Sequence, residues 1–168
     1  MLRRLLEERY GLKIRSEIKE VPVYALTVAK GGFKLQPLKE GSCAPIGDLA
    51  DLEPGQKPCG MPMTGMRGPT MNTEILGSFR DFCKVMGATL GRPVIDRTGI
   101  AGMFDFHLDF AVDENIGGVS HSGNAASDDS PSPSIFTAIQ EQLGLKLEST
   151  KGPGESLVID HIERPSEN

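Results

Sequence analysis

The sequence predicts an α+β fold, and three observations predict it. Short apolar stripes at helical spacing stop at glycine, apolar strand-like runs follow them directly, and this order recurs near both ends of the chain. Leu2, Leu5, Leu6 and Arg9 follow helical spacing, with Gly11 placed as the stop. Leu12 and Ile14, then Val23, Ala25 and Thr27, predict two strands. Near the C-terminus, Ile135, Phe136, Ile139 and Leu143 make a second helical stripe, with Ser132 as its N-cap, Pro133 as its first helical position and Gly144 as its end. Leu145-Lys146-Leu147 then matches Leu12-Lys13-Ile14, and Leu157-Val158-Ile159 falls where Tyr24-Ala25-Leu26 falls. Residues 1–29 and 134–163 thus read as duplicated helix-strand-strand units. A divergent copy is expected over 73–112, with Ile75, Phe79, Phe82, Cys83 and Met86 at helical spacing, then Val94-Ile95, then Met103 to Phe110. Short connections inside each unit predict antiparallel sheets with the helices packed on one face. The segments 31–71 and 113–133, enriched in Gly, Pro, Ser or Asp, are expected to be irregular within a single domain spanning 1–168.

Length and charge narrow the function classes. A chain of 168 residues buries roughly 70% of its unfolded surface, so no metal or cofactor is required for it to fold. A formal charge of -5 argues against nucleic-acid binding, which needs clustered cations that displace counterions; the one basic cluster, Arg3, Arg4 and Arg9, shares its helix with Glu7 and Glu8. No apolar run approaches the roughly 18 residues that cross a bilayer, and the N-terminus lacks the regions of a signal peptide. Cys43, Cys59 and Cys83 form no CxxC pair, which argues against structural zinc. Cys43 and Cys59 bracket a Gly/Pro-rich segment and are able to form a disulfide, depending on the compartment, whereas Cys83 reads as a buried free thiol.

Three stretches together resemble a known family: MLRRLLEERYGLKI with PVYALTVAKGG at the start, GRPVIDRTGIAGMFDFHLDF in the middle, and PSIFTAIQEQLGLKLESTKGPGESLVIDHIERPSEN at the end. They are similar to an expanded, largely uncharacterised soil-bacterial (acidobacterial) exported protein family, and the resemblance covers most of the chain in order. Its full-length members carry a signal peptide and a further N-terminal region, so this chain is expected to be a truncated or internally started member. The resemblance implies a periplasmic or extracellular location and thereby favours a Cys43 to Cys59 bridge, with the cytoplasm as the alternative location for a shortened form. It also implies quorum-quenching hydrolysis of acyl-homoserine lactones, the activity associated with the family.

The residues themselves supply candidate chemistry. Phe104, Phe106, Leu108 and Phe110 alternate with Asp105, His107 and Asp109, so one strand face is apolar and the other presents an acid, an imidazole and an acid. An ordinary half-buried strand with a solvated face explains the same alternation. In the functional reading His107 is a general base oriented by Asp105 or Asp109, since residues two apart on a strand lie roughly 6.6 to 7 Å apart. Asp113-Glu114-Asn115-Ile116-Gly117 is similar to the opening of a calcium loop, although Asn124 stands where the bidentate Glu belongs; a solvated acidic linker is its plain alternative. Ser120, His121 and Ser122 lack the spacing of a serine nucleophile, Asp96, Arg97 and Thr98 read as a structural turn, and Asp160, His161 and Glu163 read as surface residues. These readings lead to an expectation: a metal-assisted hydrolase of a small-molecule lactone, with Ca²⁺ held by Asp109, Asp113 and Asn115 and water deprotonated by His107. A non-catalytic envelope binding or sensing domain is the competing expectation.

Overall fold

The structure, a computed structural model, describes residues 2–39, 41–45, 52, 54–112 and 132–164. Its described elements are α1 (Leu2–Tyr10), β1 (Lys13–Val28), β2 (Gln36–Pro37), β3 (Pro62–Arg67), β4 (Thr70–Ser78), α2 (Phe79–Leu90), β5 (Val94–Asp96), β6 (Met103–Ala111), α3 (Ile135–Leu143) and β7 (Leu145–His161). The fold class is α+β. Two compact units divide it, one formed by residues 1–21 with 151–168 and the other by 22–150.

In the larger unit, β2, β6, β4 and β3 lie side by side in one sheet, with β6 antiparallel to both β2 and β4 and β3 antiparallel to β4. A second sheet has the order β5-β1-β7. Alternation along β6 buries Phe104, Phe106, Leu108 and Phe110 against α2 and α3. The rings of Phe82 and Phe106 stack at a centroid distance of 4.5 Å, and Phe79 meets Phe104 and Phe106 edge-on, each at 5.3 Å. Both helices have explicit ends. Ser78 and Asp81 form a reciprocal capping box at the start of α2, Ser134 caps α3 by accepting from the Thr137 N–H, and Gly91 and Gly144 close them in the left-handed conformation. Gly144 is required twice over: its φ is 67°, and a Cβ there would stand 2.1 Å from the Gly32 carbonyl oxygen.

In the smaller unit, the first part of β1 runs beside the last part of β7. Glu163 N–H donates to the Tyr10 carbonyl at 2.7 Å, and Arg15 Nε donates to Asp160 Oδ1 at 2.9 Å. A Cβ on Gly154 would lie 2.2 Å from Val21 Cγ2, so the glycine admits the valine. His161 Nε2 lies 2.7 Å from Glu163 Oε1 at the surface.

Five local expectations are corrected. Residues 13–28 form one strand where two were expected, and the runs at 145–147 and 157–159 likewise share β7. The polar residues between the apolar runs carry no obligatory break, and the neighbouring strand pairs through them. Ile75 belongs to β4, and the helix starts only at Phe79, because the Ser78 cap defines its first turn. The N-cap of α3 is Ser134, not Ser132, and Pro133 precedes the helix. The span 31–71 holds β2, β3 and the start of β4. Finally, β1 and β5 pair in parallel, with Tyr24 opposite Val94. The chain between them is long enough for the crossover that parallel pairing needs.

Candidate functional site

The polar face of β6 is positioned by its buried face. With the four apolar side chains turned into the core, Asp105, His107 and Asp109 must lie on the other side. Pairing with β4 sets Asn72 opposite Asp109, Glu74 opposite His107 and Leu76 opposite Asp105. Directly opposed residues share a sheet face, with Cβ atoms about 4.5–5.5 Å apart. Asn72 therefore reaches both of its neighbours on β6. Its Nδ2 donates to Asp109 Oδ1 at 2.8 Å and lies 3.1 Å from His107 Nε2. The carboxylate contact identifies the amide nitrogen, since an amide oxygen there would meet an acceptor with no proton between them. The neutral imidazole accordingly accepts at Nε2 and carries its proton on Nδ1. Asp109 Oδ2 stands 3.5 Å from the same Nε2, ready to face that nitrogen when it is protonated.

Asp109 is held from behind by its own backbone. Its N–H donates to Gln142 Oε1 at 2.9 Å, and its carbonyl accepts from Gln142 Nε2 at 2.8 Å. Strand β2 pairs with β6 only at Asp105 and Phe104, so the amide of Gln142, projecting from α3, supplies the hydrogen bonds a strand neighbour would make. Beyond Asp109, Ala111 N–H donates to the Pro133 carbonyl and Val112 N–H to the Pro69 carbonyl. Thr70 Oγ1 and Ser132 Oγ lie 2.6 Å apart. Arg67, Thr70, Asn72, His107, Asp109 and Ser132 line one cleft of about 650 Å³. The His107 and Asp109 side chains are 56% and 50% exposed, so a solute reaches them directly. Next to the cleft, Lys57 forms an ion pair with Glu74.

The sequence-derived residues divide into two groups. His107 and Asp109 come together in the cleft, and Asp105 shares their sheet face but pairs across to Leu76 and Gln36. Among the described residues no hydrogen bond joins Asp105 to His107; the ring's contacts are with Asn72 and Asp109. Asp113 and Asn115, the other two expected cation ligands, lie outside the described residues, as do Ser120, His121 and Ser122. Among the described residues no three His, Cys, Asp or Glu side chains gather in a metal-binding group. Asp109, the one expected ligand that is described, has Oδ1 engaged by Asn72. The Asp96 carboxylate accepts from both the N–H and the hydroxyl of Thr98, each at 2.8 Å, which makes it a turn residue.

A family model described as "Protein of unknown function (DUF3738)" matches residues 1–162. The chain belongs to this family. No curated protein and no solved structure matches it. In this DUF3738 chain the residues that sequence reasoning missed are Asn72, Gln142, Arg67 and Thr70. A signal for two of them was present: Thr70, Asn72 and Glu74 alternate with Met71, Thr73 and Ile75, the period of a strand with a polar face. Gln142 carries no local signal, because its role depends on where β6 lacks a neighbour.

Proposed function

We propose that the cleft at Asn72, His107 and Asp109 opens a small lactone ring by general-base hydrolysis, with N-acyl-homoserine lactones the substrate class suggested by the family resemblance. The supporting observation is the imidazole itself: His107 Nε2 lies on an open cleft wall, 3.5 Å from a carboxylate oxygen of Asp109. Attacking water would replace the Asn72 N–H at Nε2. As its oxygen bonds to the ring carbonyl carbon, its proton passes to Nε2, and Asp109 Oδ2 faces the imidazolium that forms. Collapse of the tetrahedral intermediate breaks the ring C–O bond, and the proton on Nε2 passes to the departing oxygen. The products are an alcohol and a carboxylic acid in one chain, which ionises in water. Arg67, in the same cleft, is the cation available to the carbonyl oxygen as it gains charge.

A hard cation such as Ca²⁺, held by Asp109 with Asp113 and Asn115, belongs to this proposal, but the described residues offer it Asp109 alone. No step above is routed through it. Export from the cytoplasm is the setting this reading assumes, and the Cys43 to Cys59 bridge is compatible with it. The second reading is a non-catalytic envelope binding or sensing domain. It is favoured by the same cleft's breadth and its polar wall of Arg67, Thr70 and Ser132.

Ring opening by the purified chain, measured with and without chelator and in His107→Ala and Asp113→Ala, separates the readings. Turnover lost in His107→Ala supports the hydrolase, and sensitivity to chelator and to Asp113→Ala supports the cation. Absence of turnover with any metal, together with saturable binding of a peptide or glycan, establishes the binding domain. Turnover that survives both substitutions places the site elsewhere.

A further inference from the structure

Helix α2 carries a second cleft of different chemistry. Arg80, Lys84 and Gly87 recur along one helical face with Cys83 between them, and the chain from Arg92 to Asp96 forms the opposite wall. The space between measures about 590 Å³ and is lined mainly by apolar atoms. At Gly87 the two walls come within van der Waals reach: a Cβ there would lie 3.5 Å from both the Arg92 carbonyl oxygen and the Val94 nitrogen. At the floor, Cys83 is 5% exposed. Burial, with the nearby Asp96 carboxylate, pushes its thiol up to about 12, so it stays neutral and acts as an apolar surface.

The rim is cationic in a chain whose formal charge is -5. Arg80, Lys84 and Arg92 surround the cleft against one carboxylate, Asp96, which already accepts two hydrogen bonds from Thr98. Arg92 is spoken for, since its guanidinium lies 4.8 Å above the Tyr24 ring and 3.3 Å from Ser149 Oγ. Arg80 and Lys84 are exposed, and among the described residues neither makes an ion pair.

We propose that this cleft binds a small amphiphilic carboxylate, with its head group between Arg80 and Lys84 and its aliphatic part along Cys83, Pro93 and Val94. Residues four apart on a helix stand about 5–6 Å apart at Cβ, a spacing at which two cations converge on one anion. The planar fork of Arg80 matches a carboxylate in two-point contact, and Lys84 adds a point charge. An apolar floor with few polar groups at its mouth is the general form of a small-molecule site, and the volume lies within the roughly 300–1,000 Å³ of such sites. This inference is independent of the lactone cleft, with which it shares no lining residue.

The test is calorimetric titration of the whole chain with decanoate, decanol and acetate. Decanoate should bind saturably, with acetate and decanol each at least about tenfold weaker, a difference of about 1.4 kcal/mol. The double substitution Arg80→Ala/Lys84→Ala alters only exposed side chains and should weaken decanoate by a similar factor, while His107→Ala should leave it unchanged. No saturable decanoate binding, equal affinity for decanol or acetate, undiminished binding by the double variant, or loss on His107→Ala would each overturn the proposal.

Discussion

Asn72 on β4 and Asp109 on β6 are direct cross-strand partners, and their hydrogen bond of 2.8 Å fixes which end of the amide faces His107. A donor at Nε2 leaves the imidazole proton on Nδ1 in the neutral ring. Long-range ¹H–¹⁵N correlation spectra of the wild-type chain should therefore show His107 as the Nδ1–H tautomer. In Asn72→Ala the proton should move towards Nε2, where Asp109 Oδ2 accepts it. A wild-type ring already protonated at Nε2 would contradict the arrangement.

Gln142 substitutes for a missing strand neighbour at Asp109, and its loss should be felt locally. Gln142→Ala removes two hydrogen bonds, each worth about 0.5–1.5 kcal/mol net. The expected destabilisation is about 1–3 kcal/mol in denaturant unfolding, with faster amide exchange at Asp109 than at Leu108. Unchanged exchange at Asp109 would mean that the side chain does not hold the backbone there.

Cys83 makes stability depend on alkaline pH. Its thiol is raised from an ordinary 9.0 to about 12 by burial and by Asp96. Above pH 9 the unfolded chain loses the proton while the folded chain keeps it, so unfolding becomes more favourable. This group's stabilisation is complete below pH 9 and falls by up to about 1.4 kcal/mol per pH unit as pH rises towards 12. Comparing urea midpoints of the wild type and Cys83→Ala between pH 8 and 11 isolates the effect. Equal alkaline slopes would show that Cys83 titrates normally.

The Cys43–Cys59 bridge closes a separation of 16 residues, and Cys83 remains a buried free thiol. A loop of that length removes denatured-state entropy worth about 3 kcal/mol. Reduction should lower the unfolding free energy by about that amount without unfolding α2. Peptide mapping without reductant should recover Cys43 joined to Cys59; Cys83 in an intramolecular bridge would refute the pairing.

Much of the α+β fold was legible because its signals are local. The alternation of Phe104, Phe106, Leu108 and Phe110 needs only the two-residue period of a strand, and Gly11 and Gly144 mark helix ends through their own backbone freedom. Where local signals compete, tertiary context decides between them. Ile75 fits a helical spacing with Phe79 and Phe82, yet the Ser78 capping box ends the strand and starts the helix between them. The parallel partnership of Tyr24 with Val94 left no mark in either segment.

The sequence by itself determined the composition of the β6 face: Asp105, His107 and Asp109 had to emerge together once the phenylalanines went inward. Which groups touch His107 was decided only by the tertiary structure. Asn72 arrives from a strand 35 residues away, and Gln142 from a helix 33 residues beyond Asp109. Strand register and the open edge of β6 set both contacts. Register is a property of how whole faces bury against one another, so no window of sequence around His107 contains it.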